Sequence, residues 1–360
     1  MNRIIFGGGF DPIHNGHLNI ANNALKKYPG EVIFVPARIS VWKEESVSSK
    51  DKINMLYLAT KDNPSFKIDL FEINSEKEIN YSIDTVNYLL NKYPDDKLFL
   101  LIGSDQVNKF HLWKESERIA DKVQIIYYLR PGYEIDYSNV SKFHMEVVEG
   151  NEIDVSSTEI RNFQDFNLPL SVLRYIVEHN LYEGMAKIHS LIKEKRVAHS
   201  LEVAKLAYEI ATKNKIKNPD KAFIAGLFHD IGKEMPLNEA EKIINEHYKE
   251  YQNVPKWVFH QFIGEYLAKT IFKINDSSIL SAIRNHATGN KNMSVLDKII
   301  YASDKIEPTR GFDSTELIKA MVEDAETGFV TVLKANKEYL ESKGMTLDNV
   351  LTSNCFKQYL

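Results

Sequence analysis

His199, the adjacent pair His229-Asp230, His260, His286 and Asp304 place four imidazoles and two carboxylates in the second half of this 360-residue chain. Imidazole nitrogens and shared carboxylates are suited to holding two divalent metals, with Asp230 as the natural bridge. Two ions roughly 3.5–4 Å apart can activate water and clamp a phosphoryl group for in-line displacement. Lys233, one turn beyond Asp230, is placed to neutralise charge developing on such a phosphate.

A separate phosphate chemistry is written near the start, in Gly7-Gly8-Gly9-Phe10-Asp11-Pro12-Ile13-His14-Asn15-Gly16-His17. Three glycines without side chains let backbone N–H groups approach a ligand closely. The helix expected to begin near Gly16 turns its positive end to the same place. His14 and His17 are three apart and can project from that helix start towards one phosphate. A pair of donors there suits the charge of a phosphoryl group in transfer. Farther on, Ser156-Ser157-Thr158-Glu159-Ile160-Arg161 reads as a capped helix start with an arginine one turn inside, a second anion site.

These groups need elements to hold them. Strand-like runs at residues 3–6, 31–35, 66–70, 97–102, 123–129 and 144–148 alternate with helical stretches such as 16–28, 50–61 and 82–92. Such alternation predicts an α/β domain, a mostly parallel sheet covered on both faces, with ligands at the carboxyl ends of its strands. Residues 7–17 and Gly103-Ser104-Asp105 fall at two such ends.

After about residue 155 helical periodicity takes over, which predicts an all-α second domain. His199 shares a helix face with Val203, Leu206, Ala207 and Ile210, and His286 with Ile279 and Ile283. Asp304 follows Ile300 by four residues, and His260 follows Trp257 by three. The spacing turns each polar group towards an apolar interior, where a carboxylate must be paired or ligated. The seam is expected near Tyr182-Glu183-Gly184-Met185, with a glycine permitting a turn.

The hydrophobic fraction of 43% allows each half a core. A net charge of −5, with both signs interspersed, offers no basic footprint for nucleic acid. The single cysteine, Cys355, excludes an intramolecular disulfide and fits a reducing compartment. No signal peptide is visible and no apolar run approaches the ~20 residues of a membrane span, so a soluble cytoplasmic protein is expected.

Residues 1–183 resemble the bacterial nicotinate-mononucleotide adenylyltransferases. The likeness rests on the Gly7-to-His17 motif and the Ser156-to-Arg161 segment. Tyr81-Ser82-Ile83-Asp84-Thr85, Gly103-Ser104-Asp105, Leu112-Trp113 and Arg130-Pro131-Gly132 support it. The resemblance implies a Rossmann-like nucleotidyltransferase fold and attack of nicotinate mononucleotide on the α-phosphate of ATP, with Mg²⁺ accompanying the nucleotide. It implies His14 and His17 at the triphosphate, and Ser157, Thr158 and Arg161 on ATP phosphates. Asp105 would touch the ribose and Trp113 the pyridine. Gly7, Gly8, Gly9, Phe10, Lys43, Thr85, Gly103 and Arg130 complete the implied nucleotide set. The chain departs from the family pattern at Gly9, usually threonine or serine, at Trp42, usually histidine, and at Asp51-Lys52, usually His-Arg.

Residues 186–357 resemble the HD phosphohydrolases, and more closely the bacterial HD-type symmetrical diadenosine tetraphosphatases. Arg196-Val197-Ala198-His199-Ser200, Asn285-His286-Ala287-Thr288-Gly289 and the run from Ser303 to Arg310 carry this likeness. It implies cleavage of diadenosine tetraphosphate to two ADP with two divalent metals, iron first and manganese as the alternative. One metal would take His199, His229, Asp230 and Asp304, and the other Asp230, His260 and His286. Arg196, Lys233, Thr288, Gly289 and Arg310 become phosphate contacts. Gln261 and Ala287 stand where glycine and threonine are common. Two other readings stay open: a first half that binds nucleotide without turnover, and an HD half acting on another nucleotide phosphoester.

Overall fold

The apolar runs Ile4-Ile5-Phe6, Val32-Ile33-Phe34-Val35 and Leu98-Phe99-Leu100-Leu101-Ile102 are buried on both faces, the signature of central parallel strands. The computed structural model describes residues 1–38, 47–77, 79–129, 134–151, 153–344 and 349–360. These divide into two compact units, Met1–Tyr182 and Glu183–Leu360.

Among the described residues of the first unit, six strands form one sheet: β1 (Asn2–Gly8), β2 (Gly30–Pro36), β3 (Phe66–Ile68), β4 (Lys97–Gly103), β5 (Gln124–Tyr128) and β6 (Glu146–Val148). Their order is β3-β2-β1-β4-β5-β6, and every neighbouring pair is parallel. Ile4 lies opposite Val32 on one side and Phe99 on the other. The order reverses between β1 and β4, which opens a crevice outside their carboxyl ends.

Alternation of side chains along the strands divides the core in two. Ile5, Ile33, Leu100 and Ile125 pack with Ile83, Val86 and Leu89 of the helix Ser82–Lys92. On the other face the rings of Phe6 and Phe34 lie 5.6 Å apart, and those of Tyr28 and Phe99 4.3 Å apart.

The second unit is helical throughout its described residues. The helix Glu194–Lys213 buries Val203, Leu206, Ala207 and Ile210, the face that periodicity assigned to it. The helix Asp220–Phe228 is buried from Ala222 to Phe228, as an all-round apolar sequence requires, and it delivers His229-Asp230 at its carboxyl end. The helices Phe259–Thr270, Ser277–Asn285 and Val295–Ile306 supply the remaining ligand-type residues. No described helix is long and apolar enough to cross a membrane.

The expected turn at Gly184 is not there. Gly184 is buried inside the helix Tyr182–Leu191, and the chain turns earlier, at Asn180 (φ 51) and Tyr182 (φ 71). A glycine marks either a turn or a tightly packed helix position, and sequence alone does not separate the two.

One glycine sets the spacing of the second unit. A methyl group on Gly232 would stand 2.6 Å from both the Gly264 nitrogen and the His260 carbonyl oxygen. Backbone therefore meets backbone there, and this brings His229-Asp230 against the helix that carries His260. Gly232→Ala is expected to destabilise the full chain by about 1–3 kcal/mol in urea denaturation, the usual cost of overpacking. An unchanged midpoint would mean that these segments part without penalty.

Candidate active sites

At the carboxyl end of β1 the backbone is open: a methyl group on Gly7 or Gly9 would meet nothing within 4 Å. Phe10 follows in the left-handed region (φ 43) and is held there by its ring, 5.5 Å from Phe6, 5.6 Å from Phe34 and 5.1 Å from His17. His14 caps the helix Asn15–Lys27, and its ring stacks on that of His17 at 3.7 Å. His17 N–H donates to His14 Nδ1 at 3.4 Å, and His14 N–H to His17 Nδ1 at 3.3 Å. A backbone amide can only donate, so both Nδ1 atoms are acceptors and each neutral ring carries its proton on Nε2. The pair is thus preset as two Nε2–H donors. A methyl group on Gly16 would lie 2.6 Å from Val155 and 3.0 Å from His14 Nδ1, so glycine is needed beneath the capping ring.

The Ser156-to-Arg161 segment comes to the same turn from far along the chain. Arg161 Nη1 donates to the Asp11 carbonyl at 2.7 Å, and Ser157 Oγ to that of Pro12 at 3.3 Å. Arg161 Nη2 also donates to Thr158 Oγ1 at 3.1 Å. Tyr182 Oη donates to Asp11 Oδ1 at 2.7 Å, pinning the turn from below. At the end of β4, Asp105 accepts from Gln106 at 2.7 Å beside Gly103. Trp113 packs its ring 5.1 Å from buried Phe110, and Thr85 donates to the Glu72 carboxylate at 2.6 Å. Burial holds Glu72 above the usual carboxylate range. Lys43, Trp42 and Arg130 lie outside the described residues.

In the second unit three histidines share one device. His229, His260 and His286 each donate Nδ1–H at 2.7 Å to the carbonyl three residues earlier, those of Gly226, Trp257 and Ile283. A carbonyl can only accept, so Nδ1 holds the proton and Nε2 of each neutral ring carries a lone pair. These lone pairs converge. His260 and His286 Nε2 each lie 3.5 Å from Asp230 Oδ1, and His229 Nε2 lies 3.5 Å from Asp304 Oδ1. His199 Nε2 is 3.1 Å from the same Asp304 oxygen. His260 and His286 face each other at 3.2 Å, nitrogen to nitrogen, an arrangement that repels unless a cation lies between.

The donor set fits a divalent metal. Two ligands ~2.1 Å from one ion and about 90–110° apart stand roughly 3.0–3.4 Å from each other, close to the separations found here. His229 Nε2 and Asp230 Oδ1 are buried with no hydrogen-bond partner. Three overlapping groups satisfy ligand spacing: His199-His229-Asp230, His229-His286-Asp304 and Asp230-His260-His286.

Electrostatics points the same way. Burial, with His286 and Lys233 beside it, pushes His260 down to about 3, so it stays a neutral ligand. Burial raises Asp230 and Asp304, but the histidines around both and Lys305 beside Asp304 outweigh it, and both remain ionised. Burial also opposes charge on His229, yet Asp230 and Asp304 prevail and raise its pKa. The two carboxylates call for positive charge at the centre, which a metal ion would supply.

A cavity of about 350 Å³ opens over these residues, lined by Arg196, Lys233, Lys305 and Arg310 together with Trp257 and Thr288. Arg196 donates to Asp230 Oδ2, and Arg310 to Asp304 Oδ1. Lys233 Nζ lies 3.0 Å from His260 Nε2, and Lys305 Nζ donates to Asp304 Oδ2 at 2.8 Å.

Gly289 stands at φ 64, with Cys355 Sγ 2.6 Å from where a side chain would be. Burial pushes that thiol up to about 12, so Cys355 is inert packing. Trp257 does not mark an apolar face; it is 60% exposed, and His260 uses only its carbonyl. Thr288 lines the cavity but spends its hydroxyl on Gln261 and on the Gly289 carbonyl. Sequence reasoning assigned no role to Lys305 or Glu307. Glu307 is three residues after Asp304, a same-face spacing that carried the signal.

Residues 5–163 match the cytidylyltransferase-like family and residues 196–309 the HD domain family. A Mycoplasma genitalium chain described as "Probable nicotinate-nucleotide adenylyltransferase/Ap4A hydrolase" is 34% identical over 92% of this chain and 96% of its own. The Bacillus subtilis nicotinate-nucleotide adenylyltransferase is 37% identical over 50% of this chain and 97% of its own. A Clostridium acetobutylicum HD superfamily hydrolase of solved structure is 34% identical, covering 48% of this chain and 97% of its own, with a TM-score of 0.42. With a Rossmann-like sheet ending in a paired-histidine turn and a helical unit centred on histidines and aspartates, the chain belongs to the family that fuses a nicotinate-nucleotide adenylyltransferase-like domain to an HD-superfamily hydrolase domain.

Proposed function

We propose that the first unit transfers the adenylyl group of ATP to nicotinate mononucleotide, and that the second cleaves diadenosine tetraphosphate to two ADP. For the transferase the carrying observation is the stacked pair His14 and His17, both fixed as Nε2–H donors at a helix start. The mononucleotide phosphate oxygen attacks the α-phosphorus, the Pα–O bond to the β-phosphate breaks, and pyrophosphate leaves. His14 and His17 donate to phosphate oxygens as charge builds there, while Arg161 and Ser157 hold the opposite side of the turn. Mg²⁺ enters with ATP. No covalent enzyme intermediate is required, so the rate comes from positioning and charge neutralisation.

For the hydrolase it is the convergence of histidine nitrogens on two ionised aspartates beneath a cationic cavity. His199, His229, Asp230 and Asp304 would hold one divalent metal, and Asp230, His260 and His286 the other, with iron the first candidate and manganese the second. Bound there, the pair would supply an activated water and a Lewis acid for the phosphoryl oxygen. Arg196, Lys233, Lys305 and Arg310 ring the cavity with positive charge for a polyphosphate. Burial lowers the pKa of Lys233, which makes it a better proton donor to the leaving phosphate. A shared adenylyl chemistry gives the fusion a rationale: adenylyl transfer can yield dinucleoside polyphosphates as by-products, which a tethered hydrolase removes.

His14→Ala is expected to lower kcat for pyrophosphate release from ATP and nicotinate mononucleotide roughly 10²–10³-fold. Full turnover by this variant would remove the histidine pair from the mechanism. Incubation of the full chain with diadenosine tetraphosphate and Fe²⁺ or Mn²⁺ under reducing conditions is expected to give ADP alone, and His229→Ala to give none. ATP plus AMP would replace symmetrical by asymmetrical cleavage. No turnover with metal bound would move the assignment to another nucleotide phosphoester.

A further inference from the structure

The fourth histidine of the metal centre is held differently from the other three. His199 donates Nδ1–H to the Glu307 carboxylate, 3.0 Å from Oε1, where its companions donate to backbone carbonyls. Glu307 is 1% exposed. Its carboxylate also receives Thr309 N–H at 2.6 Å and Thr309 Oγ1–H at 2.7–2.8 Å. Those donors open the short helical turn Pro308–Arg310, which folds back so that the acid stands under the ring. Glu307 N–H still bonds the Ser303 carbonyl at 3.0 Å, so the acid and Asp304 sit three residues apart, one turn of the same helix end. A carboxylate behind a ligating imidazole fixes its tautomer and enriches its far nitrogen, strengthening the bond to a metal more than a carbonyl does.

The opposite side of the centre is built the other way. Lys233 Nζ stands 3.0 Å from His260 Nε2, where it competes for the lone pair a metal would use. Arg310 Nη2 approaches His199 Nε2 only to 3.4 Å and makes its closer bonds to Asp304. Lys305 and Arg196 bind carboxylates and touch no imidazole lone pair in the centre.

We propose that Glu307 is a positioning residue that makes His199 the strongest imidazole ligand of the centre, so that the metal position bearing His199 fills before the position bearing His260 and His286. This rests on the two-metal reading given above. One position is then a tightly held ion and the other an exchangeable one, next to the lysine that meets the phosphate.

Metal-free full-length protein titrated with Mn²⁺ tests it, followed by calorimetry and electron paramagnetic resonance without nucleotide. The wild type is expected to bind in two steps, first with a mononuclear spectrum and then with that of a coupled pair. Glu307→Gln is expected to weaken the first step about 10–100-fold, with the second step and the metal-free thermal midpoint unchanged. Glu307→Asp, which keeps the charge, is expected to recover part of that affinity. His260→Ala is expected to erase the second step and keep the first. The proposal fails if Glu307→Gln leaves both steps intact, if its loss of affinity tracks a loss of metal-free stability, or if His260→Ala erases the first step. A wild type that takes up a single ion overturns the two-metal reading and this proposal with it. Two-step binding without hydrolysis of diadenosine tetraphosphate overturns only the substrate assignment.

Discussion

Two carboxylates buried among apolar helices have to be compensated, because ionised groups removed from water cost several kcal/mol each. Asp230 and Asp304 are that liability in the second unit, and much of its architecture answers it. Three histidines give their Nδ1 protons to carbonyls and turn Nε2 towards the acids. Neutral imidazoles cannot balance two negative charges. The arginines and lysines at the cavity wall do so from one side, and the centre itself is left with the electrostatics and spacing of a divalent ion site. The backbone contact at Gly232 belongs to the same solution, since a side chain there would separate His229-Asp230 from His260.

The first unit handles charge with the same residue type and the opposite tautomer. His14 and His17 accept backbone N–H at Nδ1, which leaves the proton on Nε2 and makes them donors to an anion. In the second unit Nδ1 donates, which leaves Nε2 a ligand for a cation. The chemistry of each histidine is thus set by what lies behind the ring. Gly16 serves this purpose in the first unit by leaving room for the capping ring.

Long-range closure completes both sites. Ser157 and Arg161 reach the Asp11-Pro12 turn across about 145–150 residues of sequence, and Tyr182 reaches Asp11 across 171. The Asp11-Pro12 turn is therefore held by residues at the far end of its own unit. Crosslinking a turn in this way restricts the freedom that an open glycine loop would otherwise keep, and lowers the entropy lost when a nucleotide binds.

Much of this was legible in the amino-acid sequence. The six strands follow from short apolar runs between helical stretches, and the inward faces of His199, His286 and Asp304 follow from three- and four-residue spacing. Both are local regularities, set by backbone periods of two and 3.6 residues. Gly184 and Trp257 misled for a local reason too: a glycine or an aromatic residue has two common uses, and only its neighbours in space choose between them. What tertiary structure alone decided is the second layer around each ligand: which histidine nitrogen keeps its proton, that Glu307 backs His199 and Lys233 faces His260, and that Arg161 closes the Asp11-Pro12 turn. Residue types and spacing nominate the groups that can do chemistry. Protonation and direction depend on atoms brought together from distant parts of the chain, which no local period encodes.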